Sequence, residues 1–244
     1  MRAFGLIGKS LGHSFSAAWF KEYFAENTIA AEYNLYEIGQ IESLPGFLQT
    51  HPDLEGFNIT IPYKKAILPY CDEISAEVSE IGAANCIRVR NGKLTAYNTD
   101  TDGFQHMLNK LEGWDKLPGA MILGTGGAAA AAAWVFRKLH FPFIFISRSP
   151  YQPNAMEWTS VNAGTLREFP LIINATPLGM WPDEGSAPPL PYNLLTGREI
   201  IADMVYNPSE TKMMKLAKQR GCQTINGTGM LYHQALKSWQ IWNG

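Results

Sequence analysis

Ala120-Met121-Ile122-Leu123-Gly124-Thr125-Gly126-Gly127-Ala128-Ala129-Ala130-Ala131-Ala132-Ala133 decides the fold of this chain. Residues 120–123 read as a short buried strand, and the alanine run after Gly127 is a strong helix former. Between them Gly124, Thr125, Gly126, Gly127, Ala128 and Ala129 have a G-x-G-x-x-A spacing in strand–turn–helix context. Gly124 permits the tight turn, Gly126 lets backbone approach a pyrophosphate, and Ala129 lets the helix press onto its strand. The N–H groups opening that helix face such an anion. Small residues also occur wherever a helix packs closely on a sheet, so the pattern gains weight from the strand beyond it. Residues 141–146 are predicted as that strand, ending in Ser147-Arg148-Ser149. A dinucleotide fold places its ribose-reading residue about 20 positions past the glycines, acidic for NAD and basic for the 2′-phosphate of NADP. Arg148 stands there, which favours NADP.

The 244 residues suit one large domain or two modest ones, and with 46% hydrophobic and 17% charged residues they can bury a real core. A net charge of −2 supplies no basic field for nucleic acid. No run approaches the roughly 18 apolar residues of a membrane span, and the start, MRAFGLIGKS, enters a strand without a signal-like apolar region. Cys71, Cys86 and Cys222 lack a C-x-x-C spacing, which suits a reducing cytoplasm; no metal is expected, since the five histidines are scattered.

Outward from the glycine elbow, residues 2–8 read as a first strand, followed by a polar turn and a helix with Phe20, Tyr23 and Phe24 on one face. Ser14 or Ser16 can cap that helix or meet a hydroxylated or carboxylated ligand. Residues 32–38 alternate as a second strand, and 41–48 recur at helical spacing, starting near Pro45. The stretch Gly56-Phe57-Asn58-Ile59-Thr60-Ile61-Pro62-Tyr63-Lys64 reads as a strand stopped by Pro62, turning into a helix around Tyr63. Asn58, Thr60 and Lys64 then lie at a strand's carboxyl end, where open α/β sheets bind ligands. A desolvated or carboxylate-paired lysine there can move a proton.

Ile74, Val78 and Ile81 mark a further helix, and Asn91-Gly92 joins strands 86–89 and 93–97 into a hairpin. Its second arm delivers Asn98-Thr99-Asp100 to a helix carrying Phe104, Leu108 and Leu111, which Asp100 or Asp102 can cap. Residues 150–162 read as loop, 171–175 and 199–205 as strands, and 182–191 as an exposed loop rich in proline and glycine. Ser209 is read as the cap of a helix reaching Gly221; a short strand at 223–225 and a last helix to about Trp242 come after it. The whole is α/β, in two domains: 1–98, completed by 230–244, for substrate, and 99–229, of Rossmann type, for the dinucleotide.

Eight stretches in register resemble the shikimate dehydrogenase family over nearly the whole chain. They are GKSLGHSFS at 8–16, NITIPYK at 58–64, GAAN at 82–85, NTD at 98–100, GTGGAA at 124–129, NATPLGM at 174–180, DMVYNP at 203–208 and GTGMLYHQ at 227–234. The resemblance implies a catalytic pair, Lys64 and Asp100. It implies substrate contacts from Ser14, Ser16, Thr60, Asn85, Tyr206 and Gln234. The cofactor phosphates would fall to Gly124, Thr125, Gly126, Gly127 and Ala128, the 2′-phosphate to Arg148, and the nicotinamide side to Thr176, Met204 and Gly227. The implied reaction is the NADPH-dependent, reversible reduction of 3-dehydroshikimate to shikimate, in aromatic amino acid biosynthesis, in a cleft between the domains of a cytoplasmic monomer or homodimer. Ala17 and Lys21 depart from the family's usual proline and asparagine, and Pro150 stands where a second basic residue is common. The alternatives are a quinate/shikimate dehydrogenase using NAD or NADP, or a non-catalytic nucleotide-sensing protein. The second would be expected to have lost Lys64 or Asp100, and both are present.

Overall fold

The computed structural model describes residues 1–12 and 14–244, so His13 lies outside the described residues. The chain divides into two compact units, Met1–Thr99 with Gln234–Gly244, and Asp100–His233.

Unit 1 holds β1 (Arg2–Gly8), α1 (Phe15–Glu26), β2 (Ala31–Glu37), α2 (Leu44–Thr50), β3 (Leu54–Ile59), β4 (Glu73–Ile74), α3 (Ala76–Ile81), β5 (Cys86–Arg90) and β6 (Lys93–Tyr97). They form one sheet in the order β2-β1-β3-β5-β6-β4. β1 is parallel to β2 and β3, and β5 runs antiparallel to both β3 and β6. Alternation along β1 divides the core: Phe4 and Leu6 pack with Phe20 and Phe24 of α1, while Ala3 and Ile7 pack with Phe57 and Ile59 on the other face. The predicted hairpin is present, with Asn91 at φ 53° and Gly92 at φ 74°, the left-handed pair a two-residue turn needs. The last residues of the chain return to this unit. The Trp242 indole lies over Gly56, where an added Cβ would overlap the ring, and its Nε1 donates to the Ile87 carbonyl at 3.0 Å.

Unit 2 holds α4 (Asp100–Leu108), β7 (Ala120–Leu123), α5 (Gly127–Lys138), β8 (Phe143–Ser147), β9 (Ala155–Glu157), α6 (Ala163–Glu168), β10 (Leu171–Asn174), β11 (Ile200–Asp203), α7 (Lys212–Lys218) and β12 (Gln223–Ile225). α8 (Thr228–Asn243) begins in unit 2 and ends in unit 1. The strands are all parallel, in the order β12-β11-β10-β7-β8-β9. Relabelled by order of appearance this is a doubly wound arrangement, whose direction of winding reverses between β7 and β10. Every residue of β7 is buried, as expected for a strand covered on both faces: Ala120 and Ile122 meet Ala132 and Phe136 of α5, and Met121 and Leu123 meet Leu166 and Met213.

Several local expectations are corrected. Tyr63 does not begin a helix; residues 61–67 are successive turns leading to a 3-10 turn at Leu68–Tyr70. The backbone bonds there are isolated turns, such as Tyr63 N–H to Thr60 O at 2.8 Å and Ile67 N–H to Tyr63 O at 3.0 Å, and not a consecutive helical ladder. Ile74 belongs to β4, paired with Ala96, rather than to the helix of Val78 and Ile81. The 150–162 segment contains β9, whose three residues are too few to show a period. Residues 182–191 carry no regular element, but Leu190 is buried, so the loop is anchored at its far end. The helix after Asn207-Pro208 is capped by Thr211, not Ser209: Thr211 Oγ1 accepts from Met214 N–H at 3.3 Å, and the helix ends at Lys218.

Candidate functional site

Each sheet has a winding reversal, and the candidate residues gather at the two carboxyl ends there. In unit 2 the β7–α5 elbow places Gly124 at φ 98°, and a Cβ added to it would meet Thr176 Cγ2 at 3.0 Å. Any side chain at this turn would be strained and would press on the loop after β10. A Cβ at Gly126 would meet nothing within 4 Å, so backbone can be approached from outside at that point. The first rung of the twelve-residue α5 is Ala130 N–H to Gly126 carbonyl at 2.9 Å, which leaves the preceding amides pointing out of the helix start. Open space, outward amides and the positive end of a helix dipole together fit a pyrophosphate. Arg148 directly follows β8 and is exposed, a cation at the carboxyl end of the strand beside β7.

A network the sequence reading missed holds the other loops of this end. Asn174 closes β10 and Asp203 closes β11, both fully buried. Asn174 Oδ1 accepts from Thr176 N–H (3.1 Å) and Thr176 Oγ1 (2.6 Å), and Asn174 Nδ2 donates to Asp203 Oδ1 at 2.9 Å. The same Asp203 Oδ1 accepts from Val205 N–H at 3.0 Å, and Oδ2 from the Thr211 hydroxyl at 2.6 Å. Burial pushes the Asp203 carboxyl above its ordinary pKa, and the Thr211, Val205 and Asn174 donors pull it partly back. Thr176 and Met204 are thereby fixed, since Met204 N–H also reaches the Asn174 carbonyl at 3.0 Å. Gly227 joins them: its N–H donates to Val205 O at 3.0 Å, and a Cβ there would collide with Met204 O. A polar residue closing an otherwise apolar strand, as in LIIN and IIAD, was the available signal.

In unit 1 the reversal lies between β1 and β3, with residues 9–12 and 14–16 after one and 60–64 after the other. Ser14 sits at the N-terminus of α1 and its side chain caps no helix amide; the Ser16 hydroxyl hydrogen-bonds the buried Tyr33 phenol. Burial holds that phenol well above its usual pKa. Thr60 N–H continues the ladder to Ile7 O at 3.0 Å, so Thr60 is held at the end of β3. Lys64 is half-buried, and its carbonyl accepts from Ala84 N–H at 2.8 Å, tying the 58–64 turn to the 82–85 turn. Asn85 Oδ1 accepts from Thr99 N–H at 2.7 Å and Thr99 Oγ1 at 3.2 Å, and Thr99 Oγ1 also approaches Gln234 Oε1 at 3.4 Å. The unit thus brings Asn85 and Gln234 to one threonine, and Lys64 to the turn that ends in Asn85. Asp100, in unit 2, is buried in the first turn of α4; Tyr206, also in unit 2, is partly exposed, with its phenol pKa raised by burial. Among the described residues no group of three or more His, Cys, Asp or Glu could hold a metal ion, and no helix is long and apolar enough to cross a membrane.

Comparisons with known proteins agree with this arrangement. Residues 6–87 match the family model described as the shikimate dehydrogenase substrate binding domain. A protein of Caldicellulosiruptor bescii named shikimate dehydrogenase (NADP(+)) is 36% identical over 258 residues, covering 99% of this chain and 89% of its own length. A shikimate dehydrogenase solved in complex with NADP+ superposes with a TM-score of 0.89 at 31% identity, covering 100% of this chain and 90% of the other. The shikimate 5-dehydrogenase of Thermus thermophilus, solved with NADP(H) and shikimate, gives a TM-score of 0.87 at 29% identity, with 100% and 94% covered.

Proposed function

The chain belongs to the shikimate dehydrogenase family, and from that premise we propose that it interconverts 3-dehydroshikimate and shikimate with NADP, using Lys64 and Asp100. The observation that carries the residue assignment is the joining of the two turns in unit 1. The Lys64 carbonyl is bonded to Ala84 N–H, and Asn85 is held by Thr99, so a proton-carrying cation and a hydroxyl-binding amide are anchored by one piece of backbone.

NADPH, when bound, supplies the hydride that arrives at the ring carbonyl carbon. Charge then develops on the carbonyl oxygen, and Lys64 donates the proton that completes the hydroxyl; in the oxidation it takes that proton back. To Asp100, the second member of the pair, we assign the orientation of the ammonium. Thr60 and Asn85 hold ring hydroxyls, Ser14 and Ser16 the ring carboxylate, with Tyr206 and Gln234 completing the substrate contacts. Gly124, Thr125, Gly126, Gly127 and Ala128 bind the phosphates, Arg148 the 2′-phosphate, and Thr176, Met204 and Gly227 border the nicotinamide. We assign the substrate-binding domain to 1–98 with 230–244, and the NADP-binding domain to 99–229. Three free thiols fit a cytoplasmic setting.

Initial rates of nicotinamide reduction with shikimate and with quinate, each against NADP and NAD, test this reading. Turnover of shikimate with NADP at a rate well above the other three pairs is the expected result. A quinate rate equal to the shikimate rate would refute the substrate assignment, and an NAD rate equal to the NADP rate would refute the role of Arg148.

A further inference from the structure

Behind the substrate-facing residues of unit 1 lies a chain of buried hydrogen bonds that the reaction itself does not use. Tyr33 OH donates to Asn58 Oδ1 at 2.9 Å. Asn58 Nδ2 donates twice, to the Asn85 carbonyl at 3.1 Å and to Ser238 Oγ at 2.8 Å. Ser238 Oγ donates in turn to the Gln234 carbonyl at 2.9 Å, and lies 3.4 Å from Thr99 Oγ1. Tyr33, Asn58 and Ser238 are all buried, Ser238 completely.

An asparagine amide offers two donors and one acceptor oxygen, and the three contacts at Asn58 leave none of these three functions unmet. Each contact reaches a different element: β2 through Tyr33, the start of β5 through Asn85, and the C-terminal part of α8 through Ser238. Those three elements carry, or adjoin, Asn85, Gln234 and, through Tyr33, Ser16. Fully satisfied buried networks rigidify their surroundings, and half-satisfied ones do not.

We propose that Tyr33, Asn58 and Ser238 are positioning residues that hold Ser16, Asn85 and Gln234 in the geometry that binds the hydroxylated, carboxylated ring. The inference rests on the substrate reading above. It assigns to the C-terminal helix a part in substrate affinity beyond that of Gln234, and it makes no demand on the cofactor.

Two shape-conserving variants test it, each removing one oxygen: Ser238→Ala and Tyr33→Phe. Each is expected to raise the KM for shikimate about five- to tenfold, with the KM for NADP unchanged within about twofold. Together they should raise the shikimate KM less than the product of the single effects, because both act through Asn58. Hydrogen exchange at the Thr99 amide, which donates to Asn85 Oδ1, reads the same link without any substrate. Its protection should fall at least about fivefold in Ser238→Ala, while amides of β7 and β10 keep theirs. Lowered thermal stability with both KM values and Thr99 protection unchanged would overturn the proposal by reducing the network to a packing role. An inactive wild-type enzyme would instead overturn the substrate reading, and the exchange measurement would then decide the positioning link alone.

Discussion

The two units solve the same problem, holding several loops still at the carboxyl end of a sheet, with different chemistry. Unit 1 uses amides and hydroxyls: Asn58 at the centre, with Tyr33, Ser238, Asn85 and Thr99 around it. Unit 2 uses one buried carboxylate, Asp203, which collects donors from Asn174, Val205 and Thr211. A neutral network stays neutral at any ordinary pH, and losing one partner leaves a buried group unsatisfied at a cost of roughly 1–3 kcal/mol. A carboxylate makes stronger, charge-assisted bonds, but its burial raises its pKa and brings pH dependence into the fold. The difference teaches that the buried hub on the side proposed to handle a neutral ring hydroxyl is an uncharged amide, and the buried hub on the side proposed to face the dinucleotide is a carboxylate.

The largest test of this division is Lys64→Ala. Loss of the proposed proton donor should lower kcat by roughly 10²- to 10⁴-fold, the usual worth of a general acid or base, with the KM for NADP nearly unchanged. A parallel rise in the NADP KM would break the separation of roles between the units. Next is Arg148→Ala, which removes the proposed charge-assisted contact with the 2′-phosphate and should raise the KM for NADP roughly 10- to 100-fold, with NAD unaffected. If NADP kinetics stay level, the 2′-phosphate is read elsewhere.

The smallest effect is a slope. Because burial raises Asp203 above its ordinary value, about 3.9 for a free aspartate, the folded chain keeps a proton over a window in which the unfolded chain has lost it. Stability therefore falls as pH rises from about 4 through the raised value, by at most about 1.4 kcal/mol per pH unit for one proton. Urea midpoints measured across that range should show this slope in the wild type and in Tyr33→Phe, and lose it in Asp203→Asn. A slope that persists in Asp203→Asn would mean that the carboxylate is not the group responsible.

Much of this was legible in the residue order. Strong local signals carried their elements: Gly124 and Gly126 set the β7–α5 elbow, Asn91-Gly92 set the hairpin, and the apolar runs of β1, β10 and β11 fell close to their predicted bounds. The signals that failed were short or contradictory. β9 has three residues, fewer than any period needs, and the turns after Pro62 run into a second proline, Pro69. The cap at Thr211 was hidden because its hydroxyl serves Asp203 and α7 at once, a double use that local spacing cannot reveal. The hub at Asn58 was invisible for a related reason, since its partners lie 25 residues back and 27 and 180 residues ahead.

The 180 residues between Asn58 and Ser238 also matter during synthesis. Unit 2 is one continuous segment, but unit 1 is interrupted, and its closing pieces, Ser238 and Trp242, come after Asn58 and Gly56 by more than the length of the other unit. At roughly 5–20 residues per second, Ser238 leaves the ribosome about 10–40 s after Asn58. Through that interval the Asn58 amide and the surface over Gly56 must be served by water or by a chaperone. The half of the molecule that begins first is therefore the half that finishes last.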